Sequence, residues 1–123
     1  CILNFQEKAE NQPSEIAKQL LELIEGNDEI ILWGIGSMGR RCLEIILKGG
    51  ITVRSIVDSN KAGERYKGYE IADPKLIENT DIPILVAIMN FNIEEIASLH
   101  LRGKVIFLTE WIEKLLEDDG IVV

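Results

Sequence analysis

Three glycines spaced as G-x-G-x-x-G are the residues of this chain best suited to chemistry. Gly34, Gly36 and Gly39 follow an apolar run that ends at Trp33, and a helical pattern begins directly after them. The first glycine allows a tight turn, the second lets a phosphate approach the backbone, and the third lets the helix start close to the sheet. The spacing therefore predicts a phosphate site at the N-terminus of that helix, where free N–H groups and the helix dipole attract an anion.

An acid at a suitable distance extends this pattern. Asp58 ends the next β-rich run, 19 residues after Gly39 (58 − 39). An acid about 20 residues beyond the turn accepts hydrogen bonds from a ribose hydroxyl and favours NAD over NADP, because it repels a 2′-phosphate. Ser59 and Asn60 follow in the same turn, and the alternative is that Asp58 merely caps this turn. Lys61 or Arg65 would weaken the preference for NAD.

The remaining candidate ligand contacts lie next to these two segments. Ser37 and Met38 begin the helix after the glycine turn. Arg40 follows them and would reach a pyrophosphate or a sugar phosphate, although a solvated surface arginine fits the sequence equally well. Met89 and Asn90 follow the fourth predicted strand, where Asn90 would either bond a ligand or shape the turn before the next helix.

Groups that would carry out a reaction are missing from the sequence. The single histidine, His100, falls near the end of a predicted helix, and there is no G-x-S-x-G, Y-x-x-x-K or Walker sequence. The two cysteines, Cys1 and Cys42, form no C-x-x-C pair and supply no zinc set with one histidine. Cys42 lies on an apolar helix face and is expected to be a buried thiol. The sequence therefore predicts a binding module without catalytic or metal-binding residues.

Length and composition describe one ordinary globular domain over residues 1–123. The net charge of −8 argues against a nucleic-acid or anionic-membrane partner, since either requires basic clusters. Apolar stretches fall short of the about 20 residues of a membrane span, and the N-terminus lacks the pattern of a signal peptide. We therefore expect a cytoplasmic protein. Because the chain begins with Cys1 rather than methionine, we also expect it to be a fragment of a longer one.

Periodicity and breaker residues divide the chain into alternating helices and strands. The predicted elements are an irregular segment (1–12), a leading helix (13–26), strands at 30–33, 51–57, 69–71, 84–88 and 105–108, and helices after the glycine turn, after Asp73-Pro74, after Asn92 and after Thr109. This alternation predicts an α/β fold, a Rossmann-like doubly wound parallel sheet of about five strands with helices on both faces. We expect the strand order 3-2-1-4-5, with a ligand crevice between the first and fourth strands.

The helix after the glycine turn has a broad apolar surface. Besides its main apolar face, Leu43 and Leu47 form a second ridge. Such a surface predicts contact with the sheet and with one further partner, either the leading helix or a second subunit in a homodimer. The apolar tail at 121–123 is a further candidate for a strand or a dimer contact.

Residues 30–88 resemble the small Rossmann-like domains of nucleotide-sugar and polysaccharide-biosynthesis enzymes. The resemblance rests on the glycine turn, on D-x-N-K at 58–61, on K-G-Y-E-I at 67–71 and on the Asp73-Pro74 helix start. Similar domains are the N-terminal domains of sugar O-acyltransferases and sugar dehydratases, and the C-terminal domain of sugar C-methyltransferases. The resemblance implies that the matching turn and acid contact a nucleotide. The residues concerned are Gly34, Gly36, Ser37, Gly39, Asp58, Ser59 and Asn60.

Three functions are compatible with these observations. The first is a module that binds a small-molecule nucleotide, NAD(H) or a nucleotide-sugar, within a larger carbohydrate-modifying enzyme whose neighbouring domain lies outside this sequence. The second is a vestigial Rossmann-like module that has no ligand and serves structure or dimerisation. The third is an S-adenosylmethionine-dependent methyltransferase core, which Leu32 and Trp33 disfavour because that fold usually has an acid before the first glycine.

Overall fold

The computed structural model describes residues 13–25, 27–88 and 93–118. The elements are helix α1 (Pro13–Leu23), strand β1 (Glu29–Trp33), helix α2 (Ser37–Lys48), strands β2 (Thr52–Val57), β3 (Arg65–Tyr66) and β4 (Tyr69–Glu70), a 3₁₀ helix (Pro74–Ile77), strand β5 (Ile84–Val86), helix α3 (Ile93–Ser98), strand β6 (Val105–Phe107) and helix α4 (Leu108–Asp118). The predicted segments 1–12 and 121–123 and the helix start at Asn92 lie outside the described residues. None of the described helices has the length and apolar character needed to span a membrane.

The centre of the fold is a parallel sheet with the strand order β2-β1-β5-β6. Strand β1 lies in the middle, where Trp33 is paired with Val57 of β2 and with Val86 of β5. The chain leaves β1 through α2 toward β2, and later crosses to β5 on the other side of β1. The two connections therefore diverge between β1 and β5, the position where open α/β sheets leave a crevice. The predicted α/β class with a parallel sheet is confirmed.

Both faces of the sheet are covered, and this explains the unbroken apolar run of β1. Ile30 and Leu32 belong to a buried cluster with residues of α1, α2 and α4. Ile31 and Trp33 belong to a second cluster on the opposite face, with residues of the 3₁₀ helix and α3. All four side chains are at most 2% exposed. A parallel strand buried on both faces requires apolar residues at every position rather than at alternate ones.

The expected strand at 69–71 does not extend this sheet, so five strands in the order 3-2-1-4-5 are not confirmed. Instead, β4 pairs antiparallel with β3 across a two-residue turn. The turn residues Lys67 and Gly68 both have positive φ angles, 48° and 86°, which match the twist of a tight hairpin. The chain therefore folds back on itself. Among the described residues, the backbone pairing at the outer edge of β2 is a single parallel bridge from Val57 to Ala72.

The second apolar ridge of α2 divides between two environments. Leu43 is fully buried in the same cluster as the apolar face of α1. The two helices approach so closely that a Cβ added at Gly49 would overlap the methyl group of Ala17. Leu47 remains 41% exposed. The leading helix, rather than a partner subunit, therefore covers Leu43, and the homodimer remains a prediction supported by Leu47 alone on this ridge.

Side chains cap two of the predicted helix starts. The carboxylate of Asp73 accepts a backbone hydrogen bond at the start of the 3₁₀ helix, as predicted. The last helix begins at Leu108 rather than after Thr109. The reason is that the carboxylate of Glu110 accepts a hydrogen bond from the N–H of Phe107 at 3.1 Å. This is the acid half of a capping box, in which Phe107 is the N-cap residue and Glu110 is the third residue of the helix.

Candidate functional site

A cavity of about 510 Å³ lies at the edge of the sheet where the parallel strands end. Eight of the predicted site residues line it: Gly34, Gly36, Ser37, Met38, Gly39, Asp58, Ser59 and Asn60. Its other lining residues are Trp33, Lys61, Ala87, Ile88 and Glu95. The glycine turn, the end of β2 and the end of β5 thus surround one space. Arg40 is not among the lining residues, and Met89 and Asn90 lie outside the part of the chain that the structure describes.

Two of the three glycines are required by the fold itself. Gly34 has a φ of +110°, and a Cβ there would lie 2.6 Å from Cγ1 of Ile88. A Cβ at Gly39 would collide with the carbonyl oxygen of Gly34. The first glycine is therefore needed for the turn, and the third for the close contact between the start of α2 and that turn.

Neither requirement applies to Gly36. Its φ is −72°, an ordinary extended value, and a Cβ added there would have no atom within 4 Å. Among the described glycines, Gly36 alone has neither a positive φ nor a neighbour that excludes a side chain. It is the N-cap of α2, and no side chain of the described residues caps that helix. The first N–H groups of α2 therefore face the cavity without a side-chain acceptor.

Asp58 connects the end of β2 to the glycine turn. Its side chain is 8% exposed. Oδ2 accepts a hydrogen bond from the N–H of Ile35 at 3.0 Å, and Oδ1 accepts one from the N–H of Asn60 at 2.8 Å. The turn-capping alternative is thus present in the structure. Because each carboxylate oxygen has two lone pairs, these two bonds leave acceptor capacity toward the cavity. The ribose contact of Asp58 stays a prediction.

Arg40 is directed away from the cavity. Its Nε donates a hydrogen bond to the carbonyl oxygen of Ile35 at 3.2 Å. Its guanidinium carbon lies 4.7 Å from the ring centre of Tyr66, within the range of a cation–π interaction. The backbone of Ile35 is therefore held by Asp58 on its N–H and by Arg40 on its carbonyl.

The cavity also contains charged residues outside the predicted site. Lys61 is half-buried and is the single basic side chain among the described lining residues. Glu95, near the start of α3, is the second acidic residue besides Asp58 among the described lining residues. The signal for Lys61 was its position directly after the predicted turn. The signal for Glu95 was its position in the helix that follows β5, because the end of β5 borders the same cavity. No group of three metal-binding side chains occurs among the described residues.

The fold and the cavity define an α/β domain in which a glycine turn and the ends of parallel strands surround a single site. The comparison with protein families matches the part of the chain that contains this site. The chain belongs to the family C2185-like, N-terminal, which matches residues 26–100. This range includes the glycine turn, Asp58, β5 and α3. No curated protein matches the chain, and no solved structure does.

Proposed function

We propose that this chain is a Rossmann-like domain that binds a nucleotide, NAD(H) or a nucleotide-sugar, as a non-catalytic module of a larger cytoplasmic carbohydrate-modifying enzyme. The observation that carries the proposal is Gly36. Neither its backbone angle nor its packing requires glycine. We therefore infer that glycine is used here because a side chain would occupy space that a ligand needs. A phosphate that approaches the start of α2 needs that space.

The surroundings of Gly36 supply contacts for the rest of a nucleotide. The N–H groups at the start of α2 would donate to a phosphate, because no side chain of the described residues caps this helix. The free lone pairs of Asp58 would accept from ribose hydroxyls, and Lys61 would lie near a second phosphate or a sugar. A cavity of about 510 Å³ is within the range of small-molecule sites.

Binding, rather than catalysis, is the role we assign to the chain. The described lining residues contain serines and two acids but no histidine beside a nucleophile. The family description, which specifies an N-terminal part, supports a module of a longer protein whose other domain would supply the reaction.

Calorimetry and thermal unfolding with a panel of ligands test the proposal. The panel is NAD, NADP, UDP, UDP-glucose and S-adenosylmethionine. NAD or the UDP compounds should bind and raise the melting temperature with concentration, since a ligand that binds only the folded state stabilises it by mass action. At a ligand concentration of 100 Kd the gain is about 2.7 kcal/mol.

Gly36→Val should abolish this binding because it fills the space above the helix start. Thr52→Val is the control. Thr52 is exposed and is the first residue of β2, at the end of the strand away from the cavity. Binding that survives Gly36→Val would refute the site. If no compound in the panel binds, the ligand-free assembly module becomes the better interpretation, and binding of S-adenosylmethionine alone would favour the methyltransferase core.

A further inference from the structure

Ile35, the residue between the first two glycines, is fixed at three points. Its N–H donates to the carboxylate of Asp58 at 3.0 Å, in a buried hydrogen bond. Its carbonyl oxygen accepts from Nε of Arg40 at 3.2 Å. Its side chain is 1% exposed and belongs to the main buried cluster. The peptide groups of Gly36 and of the helix start follow directly, so their directions depend on the placement of Ile35.

The position of Arg40 depends in turn on the β3–β4 hairpin. The guanidinium lies 4.7 Å from the ring centre of Tyr66 in β3. The neighbouring Lys67 has its ammonium 5.7 Å from the same ring and 3.5 Å from a carboxylate oxygen of Glu44 in α2. The hairpin thus contacts α2 at two places, one of which is the arginine that holds the glycine turn.

The same hairpin is connected to the acid that holds the other side of the turn. The N–H of Ala72 donates to the carbonyl oxygen of Ile56 at 3.0 Å, and the N–H of Asp58 donates to the carbonyl oxygen of Ala72, also at 3.0 Å. Asp58 and Arg40 therefore reach Ile35 from opposite sides, and each is attached to the segment that contains the hairpin.

We propose that Arg40 and Tyr66 are positioning residues, which hold the glycine turn in the conformation that presents the α2 N–H groups to an anion. Neither residue lines the cavity, so the β3–β4 hairpin would control ligand affinity from outside the site. The role in affinity rests on the proposed nucleotide binding, whereas the effect on the turn itself does not. Arg40 thereby acts through geometry rather than through its charge on a phosphate.

Substitutions at three positions separate geometry from charge. Arg40→Lys keeps the charge but loses the Nε donor and the planar stacking group. Tyr66→Leu removes the aromatic ring, whereas Tyr66→Phe keeps the ring and removes only the hydroxyl. Arg41→Lys makes the same chemical change at the adjacent exposed position. The loss of one such contact, either the cation–π contact or the hydrogen bond, corresponds to a change of about threefold to tenfold in an equilibrium constant.

Amide hydrogen exchange of the ligand-free protein, followed by NMR, is the first experiment. We expect Tyr66→Leu and Arg40→Lys to accelerate exchange of the Ile35 amide by about threefold to tenfold. Tyr66→Phe and Arg41→Lys should leave it unchanged. The amide of Leu32 in β1 reports global unfolding, so acceleration of both amides together would indicate general destabilisation and would overturn the proposal. An unchanged Ile35 rate in Tyr66→Leu would overturn it as well.

Calorimetric titration with UDP-glucose and with NAD is the second experiment. Tyr66→Leu and Arg40→Lys should each weaken binding by about threefold to tenfold. The double variant should be no weaker than either single variant, because both act through one contact. Full binding by Arg40→Lys would refute positioning in favour of a charge effect. If neither compound binds the natural sequence, the proposed function fails, while the exchange experiment still decides whether Arg40 and Tyr66 fix the turn.

Discussion

Replacing Gly36 with aspartate should stabilise the fold and weaken ligand binding at the same time. Gly36 is the N-cap of α2, with φ −72° and ψ −166°, and a side chain there meets no atom within 4 Å of its Cβ. An aspartate at an N-cap accepts hydrogen bonds from the second and third N–H groups of the helix. In α2 these belong to Met38 and Gly39, the groups that the proposed function assigns to a phosphate.

The gain in stability follows from two effects at one position. Aspartate exceeds glycine as an N-cap by a few tenths of a kcal/mol, and a negative charge at a helix N-terminus contributes about 0.3–1 kcal/mol. We expect a total of roughly 0.5–1 kcal/mol. For 123 residues the entropy of unfolding is about 0.26 kcal/mol/K. The melting temperature should therefore rise by about 2–4 °C.

The loss of affinity has the opposite sign because the same charge repels an anion. Two like charges about 4 Å apart repel by roughly 4 kcal/mol at an effective dielectric constant near 20, more than the about 1.4 kcal/mol of a tenfold loss. Thermal unfolding followed by circular dichroism and calorimetry with UDP-glucose and NAD measure the two effects. Gly36→Asn is the matched control, since it caps the helix without the charge and should weaken binding less.

Two results would refute this reasoning. A lower melting temperature for Gly36→Asp would show that the position is not an open N-cap, contrary to its geometry. Unchanged affinity, with the expected gain in stability, would show that the ligand does not use the N-terminus of α2. Higher stability together with weaker binding from this one substitution is the result expected of an anion site at a helix start.

Three further predictions concern the rest of the fold. Gly39→Ala should lower the free energy of unfolding by about 1–3 kcal/mol, since its Cβ overlaps the carbonyl of Gly34; an unchanged urea midpoint would contradict this. Burial raises the pKa of the Cys42 thiol to about 12 from 9.0, so iodoacetamide should modify it only after unfolding. Because the unfolded thiol ionises first, stability should fall above pH 9 by up to about 1.4 kcal/mol per pH unit, and this loss should be absent in Cys42→Ala. A hydrogen bond and the charge of Lys114 lower the pKa of Glu22 below 4.5, so the stability that Glu22→Gln removes should be present at pH 7 and disappear as the pH falls below 4.5.

The sheet was predictable because its signals are local. The apolar run before Gly34, the β-branched run before Asp58 and the run after Pro83 each identify a strand without knowledge of its neighbours. Covalent connection through a helix then requires parallel pairing for the first two strands. The buried Leu43 likewise follows from the breadth of the apolar face of α2, although only packing shows that α1 covers it.

The β3–β4 hairpin was not predictable from the sequence. The chain folds back there because two turn residues adopt positive φ angles, and the sequence indicates such angles only weakly. Asn-Gly and Asp-Gly are the strong signals for a two-residue hairpin, whereas here Lys67 adopts φ 48° in front of Gly68. A lysine with positive φ is uncommon. With strands of two residues on either side, no periodicity indicates the fold-back. The segment therefore gave the signal of an edge strand that pairs with β2.

The orientation of the Arg40 side chain could not be predicted from the sequence for a related reason. Spacing places it one turn into α2, close to the expected phosphate, but its side chain follows its partners. Those partners are the carbonyl of Ile35 and the ring of Tyr66, and Tyr66 reaches Arg40 only because the hairpin folds back. The unpredicted pairing of the segment at 69–71 and the unpredicted orientation of the arginine thus have one physical cause.

The charges of the cavity explain why the geometry of the turn should matter for binding. Lys61 is opposed by Asp58 and Glu95 among the described lining residues, and the whole chain has a net charge of −8. Side-chain charge alone therefore does not attract a phosphate to this cavity. In the proposed function the attraction would come from backbone N–H groups, whose effect depends on direction as well as distance. The direction is set by Ile35, so the affinity for an anion should depend on the residues that hold Ile35 more than on any cation beside the ligand.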